Sequence, residues 1–265
     1  MKIIIIGNGF DLNLGLKTSY KDFIESDYFQ SLAEENNSLA EYLMSKSDLN
    51  NWVDIEKEIT EYSIRIQNTD PNVKSHFQAL KVALAKYLLE AQETEIYQDS
   101  QAFKMIKEEI ETADKIYNFN YTSTVYKVAE ILGIDISNKH SYVHGSISNM
   151  DIIFGVEDKA RIYPNHIFLK KSYNKNFGES DISHFLRREN DVVLFGHSLG
   201  ITDSSYFSSY IFQLTSEFDN PELKFYHYGE SGYDEMMIML DNYTYNNLTE
   251  FKHYNNFIPI DSSIK

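Results

Sequence analysis

Lys2-Ile3-Ile4-Ile5-Ile6-Gly7-Asn8-Gly9-Phe10-Asp11 opens the chain and carries the strongest fold signal in it. Four consecutive isoleucines leave no wet face, which is the pattern of a parallel strand covered by helices on both sides. Gly7 then stops the run, and glycine tolerates positive φ and close approach of a ligand to the backbone. A helix starting here would aim free N–H groups and its positive dipole end at an anion. That is the logic of a dinucleotide site, yet the third glycine of the G-x-G-x-x-G fingerprint is replaced by Leu12, and Asp11 would repel a phosphate. An ordinary dehydrogenase fingerprint therefore fails. The bland alternative is a plain tight turn between a strand and a helix.

Comparable short β-rich runs recur later: Lys115–Phe119, Tyr142-Val143, Ile152–Phe154, Val192–Phe195 and Leu223–Tyr226. Each is followed by a polar or glycine-containing turn, so each reads as a further strand. Between about residues 20 and 113 the period changes to that of helices. Ile55, Ile59, Tyr62 and Ile66 share one face, as do Phe77, Leu80, Leu84, Tyr87, Leu88 and Ala91, and Pro71 is placed to open the second of these helices. This stretch contains no glycine. It reads as a helical insertion of four or five helices, packed as a cap over the C-terminal edge of the sheet. The expectation is one α/β domain spanning residues 1–265, with the cap at approximately 20–113. The Tyr- and Asn-rich tail after about residue 242 yields no clear element.

A chain of 265 residues that is 42% hydrophobic can bury a full core. It has no cysteine, which excludes disulfides and thiolate metal sites and fits a reducing compartment. No apolar stretch is long enough for a signal peptide or a membrane span, so the expected location is cytoplasmic, with no membrane partner. Acidic residues outnumber basic ones 40 to 24, a formal charge of −16, and this argues against broad nucleic-acid binding. A local basic patch at Lys170-Lys171 or Arg187-Arg188 is the exception to weigh, against the simpler reading of solvated surface charge.

Four further motifs carry polar chemistry. Asn118-Phe119-Asn120-Tyr121-Thr122 follows a strand, and an amide there can hold a ribose hydroxyl or orient a water, or simply form a turn. In Val143-His144-Gly145-Ser146 the histidine is placed to act as a general base near neutral pH, or to be a satisfied structural residue. Gly196-His197-Ser198-Leu199-Gly200 matches the G-x-S-x-G nucleophile elbow. Only 65 residues remain after Gly200 for the other triad members, the candidates being Asp203, His227 and His253, so a serine hydrolase using Ser198 is the third reading. Trp52-Val53-Asp54-Ile55-Glu56 either caps a helix beside a buried indole or lowers Asp54 or Glu56 into a pocket. Together these place Gly7, Asn120, His144, Gly155 and Gly196 just past strand ends, where open parallel sheets bind ligands.

The opening motif followed by Gly15–Tyr20 and Asp22-Phe23 resembles the start of the bacteriophage abortive-infection AbiH family. Similar too are Trp52-x-Asp-x-Glu56, Phe119–Thr122, His144-Gly145, Phe154-Gly155 and Gly196–Gly200 with Asp203. More distantly, the same order resembles the sirtuin-like NAD-consuming domains of phage-defence systems. That resemblance implies a Rossmann-like (sirtuin-like) parallel sheet with an inserted helical cap. It further implies that Asn120 positions the nicotinamide ribose or water, that His144 acts as base, and that Gly196, Ser198 and Asp203 contact the nucleotide. Departures are Phe10-Asp11 in the opening turn and Asn-Tyr-Thr where the defence enzymes have Asn-Tyr-Asp.

The resulting expectation is a phage-defence protein that binds and hydrolyses NAD or a related nucleotide as an NAD glycohydrolase. No cofactor is required, since NAD is the substrate or ligand. Gly7, Asn8, Gly9 and Phe10 would hold the pyrophosphate, with Asn120 and His144 catalytic and Asp11 or Glu56 steadying the oxocarbenium-like charge. No metal ligands are assigned. The second reading is a non-catalytic sensor of a nucleotide or a phage protein. A phage trigger protein and further copies of the chain are the expected protein partners.

Overall fold

The computed structural model describes residues 1–46, 52–178, 180–187, 190–216 and 220–263, apart from the side chains of residues 52–54. The chain forms two compact units. The first comprises Met1–Leu16, Glu95–Val143 and Ser180–Lys265, and the second Lys17–Thr94 and His144–Glu179.

The first unit is a mixed α/β layer structure built on six parallel strands: β1 (Lys2–Ile6), β2 (Lys115–Asn118), β3 (His140–Tyr142), β4 (Asp191–Phe195), β5 (Glu222–His227) and β6 (Asn256–Asp261). Their order across the sheet is β3-β2-β1-β4-β5-β6, with every neighbouring pair parallel. β1 is central, so its isoleucines feed two cores in alternation. Ile3 and Ile5 join Leu194, Phe207, Ile211, Leu240 and Phe251 on one face. Ile4 and Ile6 join Phe10, Ile106, Ile110, Val125 and Val193 on the other. Each of the four is at most 1% exposed, and burying such a side chain contributes about 2 kcal/mol. The strand reads as continuously apolar because both of its faces are dry.

Helices α1 (Asn8–Asn13), α7 (Gln101–Ile110) and α8 (Thr124–Leu132) supply the second face. Helices α9 (Ile182–Phe185), α10 (Ser204–Gln213), α11 (Gly229–Tyr243) and α12 (Leu248–Tyr254) supply the first. α7 is further fixed by its buried Glu109, which pairs with Lys2 and Lys224 and accepts the Tyr226 hydroxyl at 2.9 Å.

The second unit is helical: α2 (Tyr20–Ile24), α3 (Asp27–Glu34), α4 (Ser38–Met44), α5 (Trp52–Ile66) and α6 (Val73–Ala91). Polar side chains start the first three. Ser19 and Asp22 form a reciprocal capping box, and Ser26 and Asn37 cap α3 and α4. The apolar stripes lie inward as their spacing requires: Ile55, Ile59 and Tyr62 on α5, and Phe77, Leu80, Leu84 and Leu88 on α6, are all buried. Among the described residues no helix is long and apolar enough to cross a membrane.

Three expectations need correction. Ile152–Phe154 is not a strand, although all three residues are buried. It is irregular backbone in the second unit, where Phe77 stacks on Phe154 at 5.8 Å, so burial rather than pairing accounts for its apolar character. Gly155 therefore does not follow a strand end. The third strand lies at His140–Tyr142, not Tyr142-Val143. β6 arises within the unassigned tail, at the sheet edge, where Pro259 is tolerated.

Candidate functional site

The chain leaves β1 toward β2 and β3 on one side and returns through β4, β5 and β6 on the other, so the strand order reverses between β1 and β4. The turns that follow these two strands meet there. Gly9 N–H donates to Gly196 C=O at 2.8 Å, and Phe10 N–H to Gly7 C=O at 3.0 Å. A Cβ on Gly7 would lie 2.5 Å from His197 Cα, and one on Gly196 would lie 2.1 Å from Phe10 N. Gly196 also has φ +65°. The glycines of both motifs thus allow two backbones to touch, and the Gly9 and Phe10 amides are already used within the protein. Gly196→Ala is expected to cost about 2 kcal/mol, from left-handed strain plus overpacking. An unchanged denaturation midpoint would show that the clamp yields freely.

Asn118–Thr124 closes one side of this region through side chains. Asn118 Oδ1 accepts Asn120 N–H at 2.9 Å while its Nδ2 donates to Thr122 C=O at 3.2 Å. The braced turn directs Asn120 Nδ2 to Gly7 C=O at 3.1 Å, tying the end of β2 to the end of β1. Thr124 Oγ1 donates to Thr122 Oγ1 at 3.1 Å, and Thr122 Oγ1 donates to Asp11 Oδ2 at 2.5 Å. Asp11, on α1, is fully buried, and its Oδ1 has no hydrogen-bond partner among the described residues. Burial pushes its carboxyl up to about 6, an effect partly offset by Thr122, Thr124 and Asn120. Sequence reading found Asp11 and Asn120 but missed Thr122 and Thr124 as their partners. Asp11 and Thr122 are 111 residues apart, and no local pattern reports such a pair.

Gly196–Gly200 does not form a nucleophile elbow. The left-handed residues are Gly196 and Leu199, the latter at φ +54°, and not Ser198. Ser198 is exposed. The histidine beside it is engaged elsewhere: His197 Nδ1 accepts Leu199 N–H at 3.0 Å, and its Nε2 lies 3.4 Å from Asp203 Oδ2. Its ring packs edge-on to Phe119 at 4.4 Å. Tyr243 OH donates to Leu199 C=O at 2.8 Å, tying the loop to α11. A fluorophosphonate probe is expected to leave Ser198 unlabelled, and labelling under native conditions would restore the serine-hydrolase reading.

A family model described as bacteriophage abortive infection AbiH matches residues 3–219. The chain belongs to the AbiH family. The match spans both units and every motif described above, and it places the chain among proteins of phage abortive infection. No curated protein matches it.

The motif residues Trp52–Glu56, His144-Gly145 and Phe154-Gly155 lie in the second unit. His144 is 5% exposed, and its C=O accepts Ile153 N–H at 2.7 Å. Gly145, at φ +73°, would place a Cβ 2.4 Å from Asp151 C=O, and Asp151 Oδ1 accepts Ser146 N–H at 2.7 Å. Glu56 Oε1 lies 3.0 Å from Lys171 Nζ. The side chains of Trp52 and Asp54 lie outside the described residues. Lys170-Lys171 does not form a basic patch: Lys171 is buried and paired with carboxylates, and Lys170 donates to Asp158 C=O. Arg187 Nε donates to His184 C=O at 2.7 Å, and Arg188 lies outside the described residues. Sequence reading also missed buried Ser63, whose Oγ meets His166 Nδ1 at 2.9 Å and accepts Tyr163 N–H at 3.0 Å.

Proposed function

We propose that this AbiH chain acts in abortive infection by binding NAD or a related nucleotide outside the C-terminal ends of β1 and β4 and hydrolysing its N-glycosidic bond. The strand order 3-2-1-4-5-6 supports this reading, because it is the doubly wound, Rossmann-like order whose crevice at the point of reversal takes dinucleotides. The observation that carries it is Asp11: a wholly buried carboxyl on α1, just past β1, with one oxygen unpartnered among the described residues and facing Asn120. Such a group is expensive to keep, and perturbed carboxyls gather where chemistry needs them.

In this reading Asn120 orients the ribose and the attacking water. Asp11 steadies positive charge as the bond between the ribose carbon and the nicotinamide nitrogen breaks. The bonding electron pair leaves with nicotinamide, the water oxygen bonds to the anomeric carbon, and the water proton is released to solvent. With the Gly9 and Phe10 amides occupied, the phosphates are left to Asn8 and the exposed Ser198. The test is release of nicotinamide and ADP-ribose from NAD by purified protein. Turnover that persists in an Asp11→Asn variant would remove Asp11 from the chemistry.

A further inference from the structure

Asp11 has two carboxyl oxygens, and the fold treats them differently. Oδ2 accepts the Thr122 hydroxyl at 2.5 Å, and Thr122 Oγ1 in turn accepts the Thr124 hydroxyl at 3.1 Å. Oδ1 is buried with no hydrogen-bond partner among the described residues. Asp11, Thr122 and Thr124 all belong to the first unit, so the chain of hydroxyls lies wholly within it. Its backbone is held at both ends. Thr124 is the first residue of α8, and Asn118 Nδ2 donates to Thr122 C=O at 3.2 Å.

Thr122 is 2% exposed and Thr124 wholly buried. A buried hydroxyl costs free energy unless it is bonded, and valine has nearly the same shape with no hydroxyl to desolvate. Packing would be met as well by valine at both positions. The two hydroxyls are explained by the carboxyl at the end of the chain. Their direction follows as well. An ionised carboxylate only accepts, so Thr122 donates to it and offers its own lone pair to Thr124. A proton that arrives at Asp11 is steered to Oδ1, because Oδ2 already faces a donor hydrogen. Burial raises the carboxyl to about 6, and the Thr122 hydrogen bond is the largest effect opposing that rise, ahead of Thr124 and Asn120.

We infer that Thr122 is a positioning residue for Asp11: its hydroxyl engages Oδ2 and leaves Oδ1 as the oxygen that faces the developing positive charge. The inference deepens the proposed function and rests on the role given there to Asp11. Thr122 touches no reacting atom; it acts through Asp11, and Thr124 fixes the direction in which it donates.

The test compares wild-type protein with T122V and T122S, following kcat and KM for NAD across about pH 5–9 together with the melting temperature of each. The ionised carboxylate is the working form, so turnover should rise with pH through the titration of Asp11, near about 6 in the wild type. T122V is expected to lower the kcat plateau about tenfold with KM within a fewfold. It should also move the acid limb up by about one pH unit, since the hydrogen bond it removes favours the charged form. T122S keeps the hydroxyl and should retain most of the turnover and the wild-type acid limb. A threonine needed only for packing would lower the melting temperature in both variants and leave the acid limb in place. If T122V does not fold, T122A is read in its place. Wild-type turnover with an acid limb unmoved in T122V, or a T122S variant as impaired as T122V, overturns the inference while sparing the proposed function. A wild-type protein with no turnover on NAD or any related nucleotide overturns both.

Discussion

Asp11→Asn is expected to stabilise the protein at pH 8 by about 2 kcal/mol more than it does at pH 4, and to lose NAD turnover. The folded carboxyl titrates near 6 against a reference value of 3.8. A raised folded pKa means that the native state binds the proton more tightly than the unfolded state does. The stability from that proton is fully present below about pH 3.8 and is lost as pH rises through about 6. A neutral amide carries no such loss. Two pKa units correspond to about 3 kcal/mol, of which the window from pH 4 to pH 8 captures most. The buried Oδ1 position would receive an N–H donor without an acceptor, a cost of about 1–3 kcal/mol at all pH values. The pH-dependent difference is therefore the quantity to measure, by urea denaturation at both pH values. A parallel pH dependence in the two proteins would show that Asp11 does not ionise in this window. A carboxylate kept at this expense has the character of a site residue, where stability yields to function.

Asn120→Ala should lower NAD turnover by roughly 10²–10⁴-fold, the range for losing the alignment on which the attacking water depends. Removing Asn120 leaves Gly7 C=O without its 3.1 Å donor and should cost about 1 kcal/mol of stability. That is too little to unfold a domain but enough to loosen the join between β1 and β2. Full activity in the Asn120 variant would remove it from the mechanism.

The central strands were legible because burial on both faces leaves no polar residue in them: Ile3–Ile6 and Val192–Phe195 sit within β1 and β4 as their sequence suggests. The same apolar signal misreads Ile152–Phe154, since a buried loop and a buried strand look alike when neither has a polar face. β6 escaped because Pro259 argues against a strand everywhere except at an edge, and edge position is not written locally. The polar motifs were recognisable, but their division of labour was not. Gly7, Gly9 and Gly196 read as ligand-facing, yet they serve contact between two turns nearly 190 residues apart in sequence, by the Gly9–Gly196 hydrogen bond. Lys171 read as surface charge because its partners, Glu56 and Glu157, are set by the fold and not by its neighbours in sequence.

A nucleotide-hydrolysing site at the β1–β4 crevice is tested most directly by incubating wild-type, Asp11→Asn and Asn120→Ala proteins with NAD and resolving the products by chromatography. Wild-type protein is expected to release nicotinamide and ADP-ribose in equal amounts, and both variants to leave NAD intact. Wild-type protein that leaves NAD and related nucleotides intact, and that binds none of them by calorimetry, would contradict the proposal.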